Sequence, residues 1–222
     1  MPFVSFEGVD GSGKTTQVAR LCAVLAERGL DVVQTKEPDG GHLGGAIRAI
    51  LVDSSRATRL SPAEELLLIS AARYDHVRSV IRPALIRGAW VISDRFYDST
   101  FAFQAFETDV DADLFEVVTR AVVGDLAPDL TIVLDADDVV SRRRRAARPI
   151  AASEVDPAEA LRDFARIRRG LINLVHDQPE RCRLVDASRP LDAVAADVLR
   201  LVESLASRAV GVASTAHEQC GR

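Results

Sequence analysis

The segment Gly8-Val-Asp-Gly-Ser-Gly13-Lys14-Thr15 constrains this chain more than any other. It follows the apolar run Phe3-Val-Ser-Phe6 and precedes Thr16–Arg28, where Val18, Leu21, Cys22 and Leu25 recur at helical spacing, so it joins a buried strand to an amphipathic helix. Glycines at 8, 11 and 13 let the backbone turn with its N–H groups inward, and the next helix offers unpaired N–H groups and a positive dipole end. Together these make a cradle for phosphate, with the G-x-x-x-x-G-K-[ST] spacing at every specified position. Gly8, Asp10, Gly11, Ser12, Gly13, Lys14, Thr15 and Thr16 are therefore expected to hold a nucleoside triphosphate, Lys14 reaching the β- and γ-phosphates and the Thr15 hydroxyl ligating Mg²⁺. Lys14 and Lys36 are the only lysines; arginine supplies the other positive side chains.

Asp31–Thr35, Trp90–Ser93, Leu130–Leu134 and Arg183–Val185 read as four further short strands, with helical patterns between them. Ser61 is placed to cap a helix that has Pro62 at its first position and runs to about Arg78; Pro83 opens another segment ending near Gly88. Alternating strands and helices predict an α/β fold of the P-loop NTPase type, a parallel five-stranded sheet with helices on both faces. In such a sheet ligands lie at the carboxyl ends of the strands, which singles out Asp10, Glu37, Asp94, Arg95 and Asp135.

Length suits one domain, residues 1–206, with the small, polar stretch 207–222 expected as a frayed tail. The net charge of −5 argues against a general nucleic-acid partner. Cys22, Cys182 and Cys220 lack metal or disulfide spacing and the four histidines are dispersed, so neither zinc nor a disulfide framework is expected. The chain opens without a signal-peptide pattern and has no apolar run near the length of a membrane span, so a cytoplasmic protein with no membrane partner is expected.

Phe6-Glu-Gly-Val-Asp-Gly-Ser-Gly-Lys-Thr-Thr16, Thr35-Lys-Glu-Pro38, Ala71-Ala-Arg73 with Pro83-Ala-Leu85, Asp94-Arg95, Ser99-Thr100 with Gln104, and Asp186-Ala187 occur in that order. On these motifs the chain resembles the thymidylate kinase family of nucleoside monophosphate kinases across about residues 3 to 205. The resemblance implies transfer of the γ-phosphoryl group of ATP to dTMP, with Mg²⁺, by a homodimer. It implies that Asp94 holds the metal, a role for which Asp135 also qualifies by position, and that Arg95 sits between donor and acceptor phosphates. It further implies that Arg48 holds the acceptor phosphate, that Asp10 lies near the sugar 3′-hydroxyl, and that Arg73 donates to the base. Glu37, Ile69, Ser99, Thr100, Phe103 and Gln104 fall on the acceptor side. A short lid, about 142–160, carries Arg142–Arg145 and Arg148; Arg143 and Arg148 lead as the arginines that complete the charge around the transferring phosphate.

The chain departs from the family pattern mainly around the base. Ile69 stands where a stacking phenylalanine is usual, Phe103 and Ala105 where tyrosine and glycine are, and Lys36 where an arginine is. Gly170-Leu171 lacks the tyrosine usual after Arg166 and Arg168, and Ile150–Glu154 replaces the usual lid Asp-Arg-x-Glu. These changes keep open a kinase for dUMP, a 5-substituted dUMP or dCMP. A non-enzymatic ATP-binding module is the alternative from another class.

Overall fold

The computed structural model describes residues 2–53, 55, 58–108, 110–147 and 162–219, with side chains to 207. Five strands form one parallel sheet: β1 (Phe3–Glu7), β2 (Val32–Lys36), β3 (Trp90–Asp94), β4 (Leu130–Asp135) and β5 (Cys182–Asp186), in the order β2-β3-β1-β4-β5. The helices are α1 (Lys14–Glu27), α2 (Gly44–Leu51), α3 (Pro62–His76), α4 (Arg82–Ile86), α5 (Tyr97–Thr100), α6 (Ala112–Val123), α7 (Asp138–Ala146), α8 (Phe164–Asp177) and α9 (Leu191–Gln219). π-Helical turns follow α3 at Val77–Ile81 and α5 at Phe101–Phe106. The expected α/β architecture is present. α9 continues through residues read from composition as a tail.

Alternation along the strands assigns the two faces of the sheet. Val4, Phe6, Ile92 and Ile132 point to one face and pack with Val18, Leu21 and Leu25 of α1 and Val194, Val198 and Val202 of α9. Phe3 and Val91 point to the other and meet Val77, Ile81, Ala84 and Phe96. Beside them Val133 packs with Val9, Ala102, Ile167 and Leu171. Cys22 and Cys182 are free and buried.

α3 begins with a reciprocal capping box: the Ser61 hydroxyl accepts from the Glu64 N–H, and the Glu64 carboxylate accepts from the Ser61 N–H. Its end differs from the expectation. The chain passes from His76 through the π-helical turn into α4 without leaving helical conformation, and Pro83 lies in the first turn of α4. Pro83 has no N–H to donate and its ring crowds the preceding turn; the wider π-helical turn accommodates both.

Candidate active site

Parallel register gathers the strand ends at one edge. Phe6 pairs with Asp94, and Lys36 pairs with Asp94 from the other side, so the chain leaving β1, β2 and β3 enters the same space. The Arg95 N–H donates to the Phe6 carbonyl at 2.9 Å and the Glu37 N–H to the Asp94 carbonyl at 3.0 Å. That edge opens into a cavity of about 840 Å³.

The glycine loop forms one wall. Gly11 has φ +84°, and a Cβ there would lie 2.3 Å from the Ser141 carbonyl oxygen, so only glycine lets the loop lie against α7. This contact brings the Arg145 guanidinium over the loop, where it donates to the Asp10 carbonyl at 2.9 Å and stacks on Phe164 at 4.1 Å. Lys14 is buried and folds back to donate to the carbonyls of Gly8 (2.9 Å) and Val9 (3.1 Å). Burial, reinforced by the Arg95 charge, pushes the Lys14 ammonium down to about 8. Ser12 Oγ is buried without a hydrogen-bond partner among the described residues, whereas Thr15 and Thr16 are exposed at the α1 N-terminus.

The Thr15 hydroxyl donates to Asp94 Oδ2 at 2.6 Å. A hydroxyl and a carboxylate beside the phosphate cradle are hard oxygen donors and fit Mg²⁺, which takes few protein ligands and completes its shell with phosphate and water. Among the described residues no three His, Cys, Asp or Glu side chains cluster to hold a metal by themselves. Asp135 points elsewhere: both its oxygens are bound by Arg168, at 2.5 and 2.8 Å, and it does not line the cavity.

Arg95 occupies the centre. Its φ of 74° lies in the left-handed region that non-glycine residues avoid. Its guanidinium donates to Asp10 Oδ1 (2.7 Å), Ser99 Oγ (2.9 Å) and the Gly8 carbonyl (3.3 Å), and faces the Phe103 ring at 4.9 Å. Burial pushes the Asp10 carboxyl up, but the Arg95 and Lys14 charges outweigh it and hold the group at about 2. Behind Arg95 lies Glu7, fully buried, accepting from the Phe96 N–H at 2.8 Å and from the Ser99 hydroxyl. Burial, followed by the Asp98 charge, pushes Glu7 up to about 8.

The far wall holds Arg48, Ile69, Arg73, Ser99, Thr100, Phe103 and Gln104. Arg73 is buried: Nε donates to Glu37 Oε2 at 2.8 Å, and Nη2 donates to Thr100 Oγ1 at 2.8 Å and the Phe96 carbonyl at 3.3 Å. The other Glu37 oxygen lies 3.2 Å from His76 Nδ1, and the opposite ring nitrogen is 2.7 Å from Thr35 Oγ1. Burial opposes ionisation of Glu37, but Arg73 and His76 hold its carboxyl below the usual range. With both oxygens engaged, Glu37 fixes Arg73. Gln104 donates to Glu65 Oε2 at 3.2 Å, and the same oxygen accepts from Arg162 at 2.7 Å.

Asp10 to Thr16, Glu37, Arg48, Ile69, Arg73, Asp94, Arg95, Ser99, Thr100, Phe103 and Gln104 thus line one cavity, whereas Gly8 does not line it and instead accepts from Lys14 through its carbonyl. Arg143 does not join them: it is exposed on α7, while Arg144 and Arg145 line the cavity. Arg148 and residues 149–160 of the expected lid lie outside the described residues. Glu7, His76, Arg162 and Arg189 escaped the sequence reading. Glu7 carries a legible signal, as a lone carboxylate in an apolar strand, whereas nothing in the chain pattern marks Arg162 or Arg189 as cavity-lining. Leu171, one of the two residues at the missing tyrosine, is core, buried beside Val9 and Ile167.

Comparison with known proteins fits this geometry. A family model described as thymidylate kinase matches residues 6–198. The thymidylate kinase of Methylobacillus flagellatus is 41% identical over 201 residues, covering 90% of this chain and 96% of that protein. That of Bradyrhizobium sp. strain BTAi1 is 42% identical over 213 residues, covering 96% and 94%. The crystal structure of thymidylate kinase from Ehrlichia chaffeensis superposes with a TM-score of 0.69 at 31% identity, covering 90% of this chain and 98% of the other. A phosphate cradle, an arginine set between it and an opposing wall, and these matches over nearly the whole length agree: the chain belongs to the thymidylate kinase family.

Proposed function

We propose that this protein transfers the γ-phosphoryl group of ATP to dTMP, giving ADP and dTDP. The observation that carries the reading is Arg95, held by Asp10 and Ser99 between the glycine loop and the wall that bears Arg73 and Arg48. Phosphoryl transfer is accelerated mainly by alignment and by neutralising charge on the transferring group, and a fixed guanidinium fork between two phosphates supplies both. Lys14, Arg95 and an α7 arginine are assigned to the transferring phosphate, Arg48 to the acceptor phosphate and Asp10 to the acceptor sugar. Of the described lid arginines we assign Arg145 to the catalytic role. Thr15 and Asp94 would hold Mg²⁺, which would supply neutralisation of the negative charge on the donor phosphates.

Arg73, Gln104, Ser99, Thr100 and Phe103 are assigned to the pyrimidine nucleoside, with Ile69 giving the base an apolar contact. We also infer one domain over 1–206 with a lid at about 142–160, a cytoplasmic location and a homodimer. Leu67 and Tyr74, seven residues apart on α3, and Val117 of α6 are large apolar side chains left exposed, which suits a subunit contact on those helices. Sedimentation at micromolar concentration should give twice the 24.0 kDa chain mass; a single-chain mass would rule out the dimer.

The activity test is ADP release with saturating Mg·ATP and dTMP, dUMP, 5-hydroxymethyl-dUMP, dCMP or UMP. The reading expects dTMP to give the highest kcat/KM. A better acceptor among the others would transfer the assignment to that base. Absence of ADP with every acceptor would make the chain a binding module.

A further inference from the structure

Glu7 is the last residue of β1, has no exposed surface, and has no part in the roles assigned above. A buried carboxylate is costly unless its oxygens are well bonded, so its two partners are informative. Oε1 accepts the N–H of Phe96, the peptide immediately after Arg95. Oε2 accepts the hydroxyl of Ser99, whose oxygen in turn accepts from Arg95 Nη1 at 2.9 Å. One carboxyl group therefore grips Arg95 at both ends, through the following peptide and through a hydroxyl relay to its guanidinium.

Arg95 needs such support. Its φ of 74° is an unfavourable backbone state for a residue with a side chain, and it persists only where surrounding bonds over-determine it. The Arg95 N–H to the Phe6 carbonyl (2.9 Å) and the Ser93 hydroxyl to the Arg95 carbonyl (2.7 Å) hold the near side; Glu7 holds the far side. The neighbouring Asp98 is committed to another structure, pairing through both oxygens with Arg181 at 2.7 and 2.8 Å. Glu7 is thus the buried acid bonded both to the peptide after Arg95 and to the hydroxyl that Arg95 binds, while Asp10 meets the guanidinium directly.

We infer that Glu7 is a positioning residue: through the Phe96 N–H and the Ser99 hydroxyl it holds Arg95 in the orientation that places its guanidinium between the phosphates. The inference rests on the assignment of Arg95 to those phosphates. A misplaced guanidinium loses charge stabilisation in the transition state more than it loses ground-state binding of ATP, whose triphosphate is cradled by the glycine loop. The signature is a fall in kcat with little change in KM.

The experiment compares Glu7→Ala, Ser99→Ala, the double variant and Arg95→Ala, each checked for folding by its thermal transition. Glu7→Ala is expected to lower kcat about 30-fold or more and Ser99→Ala about tenfold, with KM for ATP within about threefold of the parent. The double variant should be no worse than Glu7→Ala by more than about threefold, because both substitutions break one relay. A folded Glu7→Ala with kcat within about threefold of the parent overturns the inference, as do fully multiplicative effects in the double variant. If Glu7→Ala does not fold, Ser99→Ala decides, and kcat within about twofold of the parent overturns the relay. If Arg95→Ala itself keeps its kcat, it is the assignment of Arg95 that fails; loss in Arg95→Ala with none in the Glu7 and Ser99 variants rejects Glu7 alone.

Discussion

Burial pushes both Lys14 and Asp10 toward neutrality; at Lys14 the Arg95 charge reinforces it, whereas at Asp10 the neighbouring cations outweigh it. Asp10 is held ionised by three cations, Arg95, Lys14 and Arg145, whereas Lys14 shares its space with Arg95 and is held near 8 until a negative group arrives. Triphosphate binding should raise the Lys14 pKa, so above pH 8 ATP binding should be accompanied by proton uptake at Lys14; calorimetry in buffers of different ionisation enthalpy measures it, and Lys14→Ala should abolish it. If Lys14 and Arg95 stabilise transition-state charge, Lys14→Ala and Arg95→Ala should each lower kcat roughly 10²-fold or more. Glu7 adds a stability effect of known sign. Its folded pKa of about 8 lies above its unfolded value, so the folded state retains a proton that the unfolded chain has lost between those two pKa values. Stability therefore falls as pH rises through that window. Glu7→Gln should flatten the dependence of Tm on pH between 5.5 and 7.5, and an unchanged slope would contradict the buried-carboxyl account. At the base, Ile69→Phe should improve dTMP binding by about 1 kcal/mol, seen as a lower KM, if ring stacking is what Ile69 lacks.

At the scale of elements, legibility in the sequence depended on whether the signal was local. The α3 cap was readable because Ser61, Pro62 and Glu64 act within one turn, and Ser61→Ala should cost about 1 kcal/mol of stability in denaturant unfolding. The continuation of that helix through Val77–Ile81 was not readable, since Pro83 signals a break unless the preceding turn can widen, and the widening is a tertiary outcome. α7 shows a second limit. Four consecutive arginines, each about 100° around the helix from the last, cover every face, so periodicity cannot say which one meets the loop. The choice is made by the approach of Gly11 to Ser141, which turns Arg144 and Arg145 inward and leaves Arg143 outside. Arg145→Ala should therefore reduce kcat at least about tenfold more than Arg143→Ala does, measured at saturating substrates. Equal effects would reject the assignment of Arg145.

Across the whole molecule the sheet was legible because each strand is a short apolar run between helical patterns, and the glycine loop fixed which end of it binds. The charge of the cavity was not. Among the described residues nine Lys and Arg side chains line it against four Asp and Glu, drawn from strand ends, loops and helices spread along the chain, although the protein as a whole carries −5. An acidic body with a cationic cleft focuses its field on the opening, repels polyanions elsewhere and draws small anions such as nucleotides inward. Screening tests this directly, because the Debye length falls from about 10 Å at 0.1 M salt to about 3 Å at 1 M. With Mg·ATP saturating, kcat/KM for dTMP should fall several-fold over that range, roughly three- to tenfold, through a slower encounter. kcat should change less, since contacts inside the cavity are shorter than either screening length and are partly shielded from solvent ions. Parallel loss of kcat would place the salt effect on the fold or the chemistry, and a flat kcat/KM would show that the cavity charges are balanced before the substrate arrives.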